Sequence, residues 1–397
     1  MHLPSSLRRT ATILSCAAAA ALAAAPPASA TAPPQPLPVA GKAFGFTGGI
    51  DPAMNGSQVA DGVARVQLLN STHYRDAIGW HWFVNSTNAS NPVPAALTTP
   101  LGSSGVPSVE HLDETYTQLQ AAGITMIIQV TDAPLWASKF AQCTDPIFAL
   151  INFVLCSGYA GTTAAYHPTP ANRPKFGQFA AAVAARYPGA IIEGWNEPDA
   201  DAYANPASVN YKTSGSPSEV AEEQCVLYNA VKAVDPNRIV LSPAMGDLRD
   251  ASFTQGYLHF VGTRTCHDGF STHMYFGGSA AERAAALADR FAKLDAARDL
   301  YSDTSPIWVT ETGSTVSGTS TEASQNIIVP ESYDEMISMP EVHAVLIWAL
   351  RDAPLPFVPY TTPGSTAYGF GLLRTDWTPK PAFCTLLART SNTYSGC

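Results

Sequence analysis

Short apolar segments of strand length alternate with amphipathic segments of helix length along most of this chain. Most of the apolar segments are continuous and rich in β-branched residues, which is typical of strands buried on both faces of a parallel sheet. Eight strands alternating with helices predict an α/β fold, a (β/α)8 TIM barrel in a single domain. The alternative is an open doubly wound sheet, but no Gly-rich phosphate-binding turn follows the first candidate strand. The candidate strands cover residues 43–49, 63–69, 124–130, 190–196, 238–243, 269–275, 306–312 and 344–350.

Two of the intervening segments carry clear helix-start signals. Ser216 and Glu219 form a predicted capping box with Pro217 at the first helical position, and Ser279 and Glu282 repeat the box. We expect each helix to bury one apolar stripe against the sheet. The two stripes are Val220, Leu227, Val231 and Val234 in the first helix, and Leu287, Phe291 and Leu294 in the second.

The first thirty residues have the features of a secretory signal peptide and not of a folded element. Arg8 and Arg9 precede an Ala-rich apolar run, and Ala28-Ser29-Ala30 matches a signal-peptidase site. Residues 31–42 then read as a Pro-rich linker, and residues 43–397 as the barrel domain. No later segment reaches the roughly 18 apolar residues that a membrane-spanning helix needs. The sequence therefore predicts a secreted protein that does not insert into a membrane.

The charge of the chain argues against nucleic acid as a partner. The formal charge is −10 for the full sequence and becomes −12 once Arg8 and Arg9 leave with the signal peptide. No basic stripe offsets this negative charge. A negative surface suits a neutral substrate better than a polyanionic one. Nothing in the sequence indicates an oligomer, and we take a monomer as the default.

The cysteine content fits an exported protein. Of the seven cysteines, Cys16 lies in the signal peptide, so six remain for up to three disulfides. Several pairings are open; we favour the two that are local in sequence, which leaves Cys225 with Cys266. No Cys-x-x-Cys and no His-Glu-x-x-His motif occurs, so the sequence predicts neither a metal site nor a cofactor. The two local pairs are Cys143–Cys156 and Cys384–Cys397.

Two candidate strands end on a glutamate in polar company, Glu197 in GWNEPD and Glu311 in WVTETGS. The two residues are 114 positions apart, which is three strand–helix units of about 38 residues. They would therefore end the fourth and seventh strands, which face each other across the mouth of an eight-stranded barrel. Because the active sites of such barrels lie at the carboxyl ends of the strands, we expect the two carboxyl groups to meet there.

A pair of facing carboxyl groups is what cleavage of a glycosidic bond requires. One carboxylic acid protonates the leaving oxygen, and one carboxylate attacks the anomeric carbon or activates a water. A separation of about 5–5.5 Å gives a covalent intermediate and retention, whereas about 6.5–9.5 Å leaves room for a water and gives inversion.

The motifs around these residues resemble those of clan A retaining β-glycoside hydrolases. WNEP and VTETG look like the acid/base and nucleophile motifs, and GFSTHMY resembles the sixth-strand His-x-Tyr. LIWALRD is similar to the eighth-strand Trp motif, and YGFGLLRTDWTPKPAF to the closing stretch. The resemblance runs from Phe44 to Phe383 and is nearest to the xylosidase/iduronidase-like and cellulase-like families. Residues 71–100 match no part of the pattern.

The resemblance implies a role for each matching residue. Glu197 would be the general acid/base, Glu311 the nucleophile, and Asn196 the partner of the sugar 2-hydroxyl. Tyr275 would donate a hydrogen bond to Glu311. The remaining members of the implied substrate site are His273 in its wall, Trp348 as its floor, Arg65 as the second-strand arginine that supports the nucleophile, and Trp136 as a sugar-stacking aromatic.

For several of these residues a purely structural role is an open alternative. His273 could be a core histidine, and Arg65 could neutralise a buried carboxylate such as Glu193, which we expect to point into the barrel and to need a partner. Trp136 could pack in the core instead of binding sugar, and the same holds for Trp80 and Trp82. Three further acids near strand ends rank no higher than loop residues, namely Asp132, Asp199 and Asp247.

These features together predict a secreted, retaining β-glycosidase that acts on a neutral oligo- or polysaccharide. The rival hypothesis is a carbohydrate-binding protein that keeps the glycosidase scaffold without turnover. The presence of both glutamates favours the enzyme. A serine esterase is disfavoured because the chain has no Gly-x-Ser-x-Gly elbow.

Overall fold

Eight parallel strands form the centre of the molecule in a computed structural model of the chain. The structure describes residues 32–50, 54, 56–83, 85–138, 167–199, 216–246, 248, 251–352 and 369–397, which belong to one compact unit. The proposed signal peptide and the Cys143–Cys156 pair lie outside these residues. The strands are β1 Ala43–Thr47, β2 His73–Gly79, β3 Thr125–Thr131, β4 Ile191–Glu193, β5 Val240–Leu241, β6 Phe270–His273, β7 Ile307–Thr312 and β8 Val342–Trp348.

One helix follows each strand in the described part of the chain. The helices are α1 Gly56–Leu68, α2 Pro107–Ala121, α3 Arg173–Arg186, α4 Pro217–Val234, α5 Ser252–Val261, α6 Ala280–Leu300, α7 Glu322–Ile337 and α8 Pro381–Leu387. None of the described helices is long and apolar enough to cross a membrane.

The strands pair in the order β5-β4-β3-β2-β1-β8-β7-β6. Two isolated parallel bridges, Leu241–Gly269 and Met245–Thr272, join the β5 side to β6 and close the ring. The prediction of a (β/α)8 barrel is therefore confirmed. A small apolar cluster fills the interior of the barrel, and a much larger one fills the space between strands and helices. The interior cluster consists of Ala43, Ile127, Ile191, Leu241, Trp308, Ala344 and Leu346.

The prediction of a strand at residues 63–69 is wrong, because this segment belongs to α1 and to the turn after it. Val59, Val63 and Val66 are buried with helical spacing, so one apolar stripe of α1 faces the core. The second strand is instead the polar segment HYRDAIG. One of its polar side chains, that of Arg75, points into the barrel. The segment therefore lacks the continuous apolar character of the other strands.

The predicted helix starts are confirmed. Ser216 with Glu219 and Ser279 with Glu282 make reciprocal capping boxes at the starts of α4 and α6. Their apolar stripes are buried except for Val234, which lies at the last position of α4 and is 43% exposed.

Two disulfides in the described residues match the expected pairing. Cys225–Cys266 joins α4 to the segment before β6, and Cys384–Cys397 joins α8 to the C-terminal residue. The described part of the Pro-rich segment packs on the domain: Leu37 is buried in the main core, and the Tyr333 hydroxyl in α7 donates to the carbonyl of Pro36.

Candidate active site

Glu197 and Glu311 meet at the mouth of the barrel, as the spacing of their motifs predicts. Glu311 lies in β7, and Glu197 follows β4 by four residues. One carboxylate oxygen of each lies within 4.8 Å of the other and of a ring nitrogen of His273. The Glu311 side chain is only 14% exposed and the Glu197 side chain 29%. The topology therefore brings together two acids that are far apart in sequence.

Arg75, on the inward face of β2, binds residues of two other strands and the loop after β4. Its Nε donates to Glu193 over 2.5 Å and its Nη1 to Glu311 over 2.6 Å. Its Nη2 donates to the Oδ1 of Asn196 over 3.1 Å. Burial lowers the pKa of Arg75, but the charges of Glu193 and Glu311 and the hydrogen bonds to them outweigh burial and leave the pKa raised. The guanidinium therefore holds a fixed positive charge beneath the two acids.

Glu193 is a satisfied buried carboxylate, which accounts for its inward position in β4. It is fully buried, and it accepts hydrogen bonds from Arg75, from Gln129 over 3.3 Å and from the Ser271 hydroxyl over 2.6 Å. A buried charge needs such partners to be tolerated. Glu193 therefore orients Arg75, and it lies below the two acids of the mouth.

Asn196 is held by its carbonyl oxygen alone in the described contacts. Its Oδ1 accepts from Arg75 and from the Gln129 side chain, the latter over 2.9 Å. Because both donors bind the oxygen, the amide nitrogen of Asn196 is directed away from them. This side-chain NH2 is available to a ligand in the mouth.

Three neighbours keep Glu311 ionised. Burial would raise its pKa, but the charges of His273 and Arg75 and the hydrogen bonds from Tyr275 and Arg75 hold the pKa below its ordinary value. The Tyr275 hydroxyl donates to Oε2 of Glu311 over 2.7 Å. Burial, followed by the charge of Glu311, raises the pKa of Tyr275 well above its ordinary range, so this hydroxyl remains a donor.

His273 is fully buried and touches both acids, so it is more than a core histidine. Its Nδ1 lies 2.7 Å from Oε1 of Glu197, and its Nε2 lies 3.5 Å from Oε1 of Glu311. Burial lowers the pKa of His273, but the charge of Glu311 and the contact with Glu197 outweigh burial and leave it raised. The imidazole therefore couples the two carboxyl groups electrostatically.

The backbone at Glu197 is bent so that its carboxyl group faces the mouth. Glu197 has φ of 40°, in the left-handed region that non-glycine residues rarely adopt. Its amide donates to the carbonyl of Ala244 over 2.8 Å. A Cβ added to Gly246 would lie 2.6 Å from the Cγ of Glu197, so the glycine leaves the space that the glutamate stem occupies. Asp199 supports this corner, because its carboxylate accepts from the amide of Gly246 over 2.7 Å.

An aromatic group forms one side of the mouth. Trp348, at the end of β8, packs against Phe370 with ring centroids 4.6 Å apart and meets Tyr275 edge-on at 6.2 Å. Trp348 is partly exposed, and a Cβ added to Gly48 would lie 3.6 Å from its Nε1. The indole is thus held rigidly beside Tyr275 with part of its surface open.

Of the tryptophans near β2 and β3, two belong mainly to the packing. Trp80 is fully buried, and Trp136 meets it edge-on at 5.2 Å and donates from Nε1 to the Thr87 hydroxyl. Trp136 keeps partial exposure beside Lys175, whose Nζ lies 5.8 Å from its ring. Trp82 is 36% exposed. The structure therefore removes Trp80 from the candidate sugar platforms.

The placement of Arg65 in the site is wrong. Arg65 lies in α1 on the outside of the barrel, where its guanidinium packs over Trp377 at 4.6 Å and binds the backbone of Asp61. Arg75 occupies the second-strand position that was assigned to Arg65. The signal that could have found it is the alternation of buried Tyr74 and Ile78 on one face of HYRDAIG with Arg75 on the other.

Glu197, His273 and Glu311 also form the one group of potential metal ligands among the described residues. Three ligands could hold a cation, but the negative charge of Glu311 is already paired with a positive charge. The Arg75 guanidinium already binds Glu311, and Tyr275 occupies its second oxygen. The chemistry of the group therefore fits two carboxyl groups working as a pair.

The segment from residue 159 to 349 matches the family model described as glycosyl hydrolase catalytic core. This segment contains both acids, His273, Tyr275 and Trp348. This part of the chain is similar to a glycosyl hydrolase catalytic core. A comparison with curated proteins found no match.

Several solved structures share the fold. A family 39 glycoside hydrolase from Bacteroides cellulosilyticus is 19% identical with a TM-score of 0.56; the match covers 90% of this chain and 64% of that one. GH5_18 from Streptomyces cattleya, in complex with GlcNAc, is 16% identical with a TM-score of 0.60, covering 90% and 80%. A GH39 β-xylosidase from Caulobacter crescentus is 18% identical with a TM-score of 0.56, covering 90% and 72%. The likeness extends to the fold and agrees with the clan A resemblance of the motifs.

Proposed function

We propose that this protein is an exported, retaining β-glycosidase in which Glu311 is the nucleophile and Glu197 the general acid/base. The observation that carries the proposal is the placement of the two acids, with carboxylate oxygens within 4.8 Å of each other at opposite strand ends. These two oxygens are closer together than the roughly 6.5–9.5 Å that separates the carboxyl groups of inverting enzymes, which supports retention.

The surroundings of the two acids support the division of roles. Glu311 is held ionised by Arg75, Tyr275 and His273, as a nucleophile must be. Glu197 has no arginine partner among the described residues, and its carboxyl group is the more exposed of the two. It is therefore the group that can exchange a proton with a leaving oxygen and then with water.

In the first step an oxygen of Glu311 attacks the anomeric carbon while the bond to the leaving oxygen breaks. Glu197 gives its proton to that oxygen, so the aglycone departs as an alcohol. In the second step Glu197 takes a proton from water, and the water oxygen displaces Glu311. The two inversions at the anomeric carbon restore its configuration.

The remaining residues stabilise the sugar and its transition state. The side-chain NH2 of Asn196 is directed to the 2-hydroxyl of the sugar bound at Glu311, a contact that strengthens in the transition state. The open face of Trp348 provides an apolar surface for the sugar ring. The two disulfides support export, because such bonds persist in oxidising compartments. Neutral glycans remain the preferred substrate class because of the net negative charge.

The test is hydrolysis of a panel of neutral β-glycans and aryl β-glycosides by wild type and by Glu311→Gln. We expect the substitution to lower kcat by at least about 10³-fold, because the glutamine amide cannot act as a nucleophile. Glu222→Gln, an exposed glutamate on α4, should match wild type. Proton NMR of the first product should show the β anomer.

Release of the α anomer first would show inversion and contradict the double displacement. Equal activity of Glu311→Gln and wild type would contradict the assignment of both acids. Glycan binding without turnover in either protein would instead favour a carbohydrate-binding protein.

A further inference from the structure

A second acid lies near the proposed catalytic pair but has no part in the double displacement. Asp132 directly follows β3 with φ of 58°, a left-handed backbone conformation. Its Oδ2 lies 3.6 Å from Nδ1 of His81, and its Oδ1 accepts from the Thr131 hydroxyl over 3.3 Å. The Asp132 and His81 side chains are 19% and 16% exposed. We call these two residues the Asp132–His81 pair.

The pair lies on the inward side of the wall formed by β2 and β3. Arg75, Ala77 and Gly79 share the inward face of β2, because side chains two residues apart point the same way. A Cβ added to Gly79 would lie 2.6 Å from the His81 ring, so that ring occupies the inward position above Arg75. Gly79 pairs with Thr131, which brings Asp132 to the same level. The pair is therefore part of the cleft and not of the outer surface.

The pair is not satisfied by the fold. The Nδ1 of His81 is buried and makes no hydrogen bond with any described residue. The backbone is arranged around the pair, since the amide of His81 donates to the carbonyl of Asp132 over 2.7 Å. A buried polar atom without a partner costs stability, and a ligand hydroxyl in the cleft would supply the missing hydrogen bond.

The position of the pair identifies the part of the substrate that it faces. Glu197 rests on Gly246 and contacts His273, so the leaving group that it protonates lies on the β5 and β6 side. The sugar that remains on Glu311 must then face the opposite wall, which β1, β2, β3 and β8 form. The Asp132–His81 pair is on that wall, and the exposed indole of Trp82 lies beside it.

We propose that Asp132, together with His81, is a specificity-determining residue of the glycone site. It binds two neighbouring hydroxyl groups of a neutral sugar and disfavours a uronic acid. This assignment rests on the proposed function. A carboxylate accepts two hydroxyl donors at once, while neutral His81 offers a further acceptor or donor. A uronate brought to this wall would place its charge near Asp132 and the two catalytic acids, which is unfavourable.

The protonation states agree with this role near neutral pH. Burial raises the pKa of Asp132 to about 6, against the opposing effects of the Thr131 hydrogen bond and the charge of His167. Burial lowers the pKa of His81 to about 4, so the imidazole is neutral above that pH. Asp132 is therefore mainly a carboxylate above pH 6, and His81 does not offset its charge.

The test compares Asp132→Asn with wild type on matched pairs of 4-nitrophenyl β-glycosides, glucoside with glucuronide and galactoside with galacturonide. We expect kcat/KM for the neutral member that wild type prefers to fall about tenfold to a hundredfold. We expect the ratio of neutral to uronic kcat/KM to fall at least about tenfold. The advantage of wild type over the variant should grow as pH rises through about 6, because only wild type gains the carboxylate there.

The exposed Asp289→Asn on α6 is the matched control and should leave the ratio unchanged. An equal loss on neutral and uronic substrates, or no loss on either, would overturn the proposal, since a structural role cannot change the ratio. Calorimetric binding of the same sugars to Glu311→Gln with and without Asp132→Asn separates the two proposals. If wild type shows no turnover but Asp132→Asn removes a preference for neutral sugars in binding, only the proposed function fails.

Discussion

At the scale of single residues, one guanidinium organises the site. Arg75 joins the buried carboxylate of Glu193 to Glu311 at the mouth of the barrel and binds Asn196 from below. Removing one member of such a buried network leaves the others charged without a partner, which is the costly situation inside a protein. Arg65, by contrast, packs over Trp377 on the outside of the barrel, and its ion-pair partner Asp61 is exposed, so no buried carboxylate depends on it.

Arg75→Met therefore tests the network, with Arg65→Met as its control. We expect Arg75→Met to lower the free energy of unfolding by about 3–5 kcal/mol because Glu193 is left buried and unpaired. Arg65→Met should cost about 1 kcal/mol or less. Urea denaturation followed by circular dichroism gives both values, and similar losses in the two variants would show that Arg75 is not the centre of a buried network.

The same two arginines show what the sequence could predict at this scale. The strand pattern alone predicted that Glu197 and Glu311 lie at the barrel mouth, and the family resemblance added Asn196, Tyr275 and Trp348 to the predicted site. Arg75 was missed because β2 buries Tyr74 and Ile78 on one face and carries polar residues on the other. A strand whose barrel face is functional loses the apolar signal by which strands are recognised.

At the scale of elements, the ends of β4 and β5 depart from regular strands where they form the site. β4 ends at Glu193, well before Glu197, and β5 has only two residues. Beyond them the chain keeps isolated contacts, such as the bridge between Asn196 and Ala244. Strand periodicity predicted longer strands at both places, residues 190–196 and 238–243, because hydropathy records burial and not the regular pairing of strands.

Gly246→Ala tests whether the segment after β5 positions Glu197. The new methyl group would lie within 3.0 Å of the Glu197 stem, so the glutamate must move away from its present place. We expect kcat on the best aryl β-glycoside to fall about tenfold to a hundredfold, because a displacement of about 1 Å suffices for such a loss. The melting temperature should change little, since the side chain that moves is partly exposed.

Gly277→Ala is the matched control for this prediction, because a Cβ there meets no atom within 4 Å. It should leave kcat unchanged. Full activity of Gly246→Ala would show that Glu197 reaches its working position without the support of this segment.

At the scale of the whole molecule, polar side chains lie at both ends of the barrel. At the end opposite the site, the Trp308 ring lies in the interior cluster, with His73 edge-on at 5.5 Å and His343 at 4.7 Å. Burial, followed by the charge of His343, lowers the pKa of His73 to about 4. This end of the barrel is therefore built to hold neutral imidazoles, and proton uptake opposes its packing.

His73→Gln should make the protein less sensitive to acid. The unfolded chain takes up a proton at His73 near pH 6.5, whereas the folded protein resists it until about pH 4. Since the unfolded state binds more protons in this window, the stability due to neutral His73 is fully present above pH 6.5 and is lost as pH falls to about 4. The depressed pKa corresponds to a loss of up to about 3 kcal/mol.

Urea denaturation at several pH values gives the free energy of unfolding of each variant. Between pH 6.5 and 4, wild type should lose about 3 kcal/mol more stability than His73→Gln. His259→Gln, at an exposed position, should follow wild type. Parallel curves for wild type and His73→Gln would mean that His73 is protonated in the folded barrel as easily as in the unfolded chain.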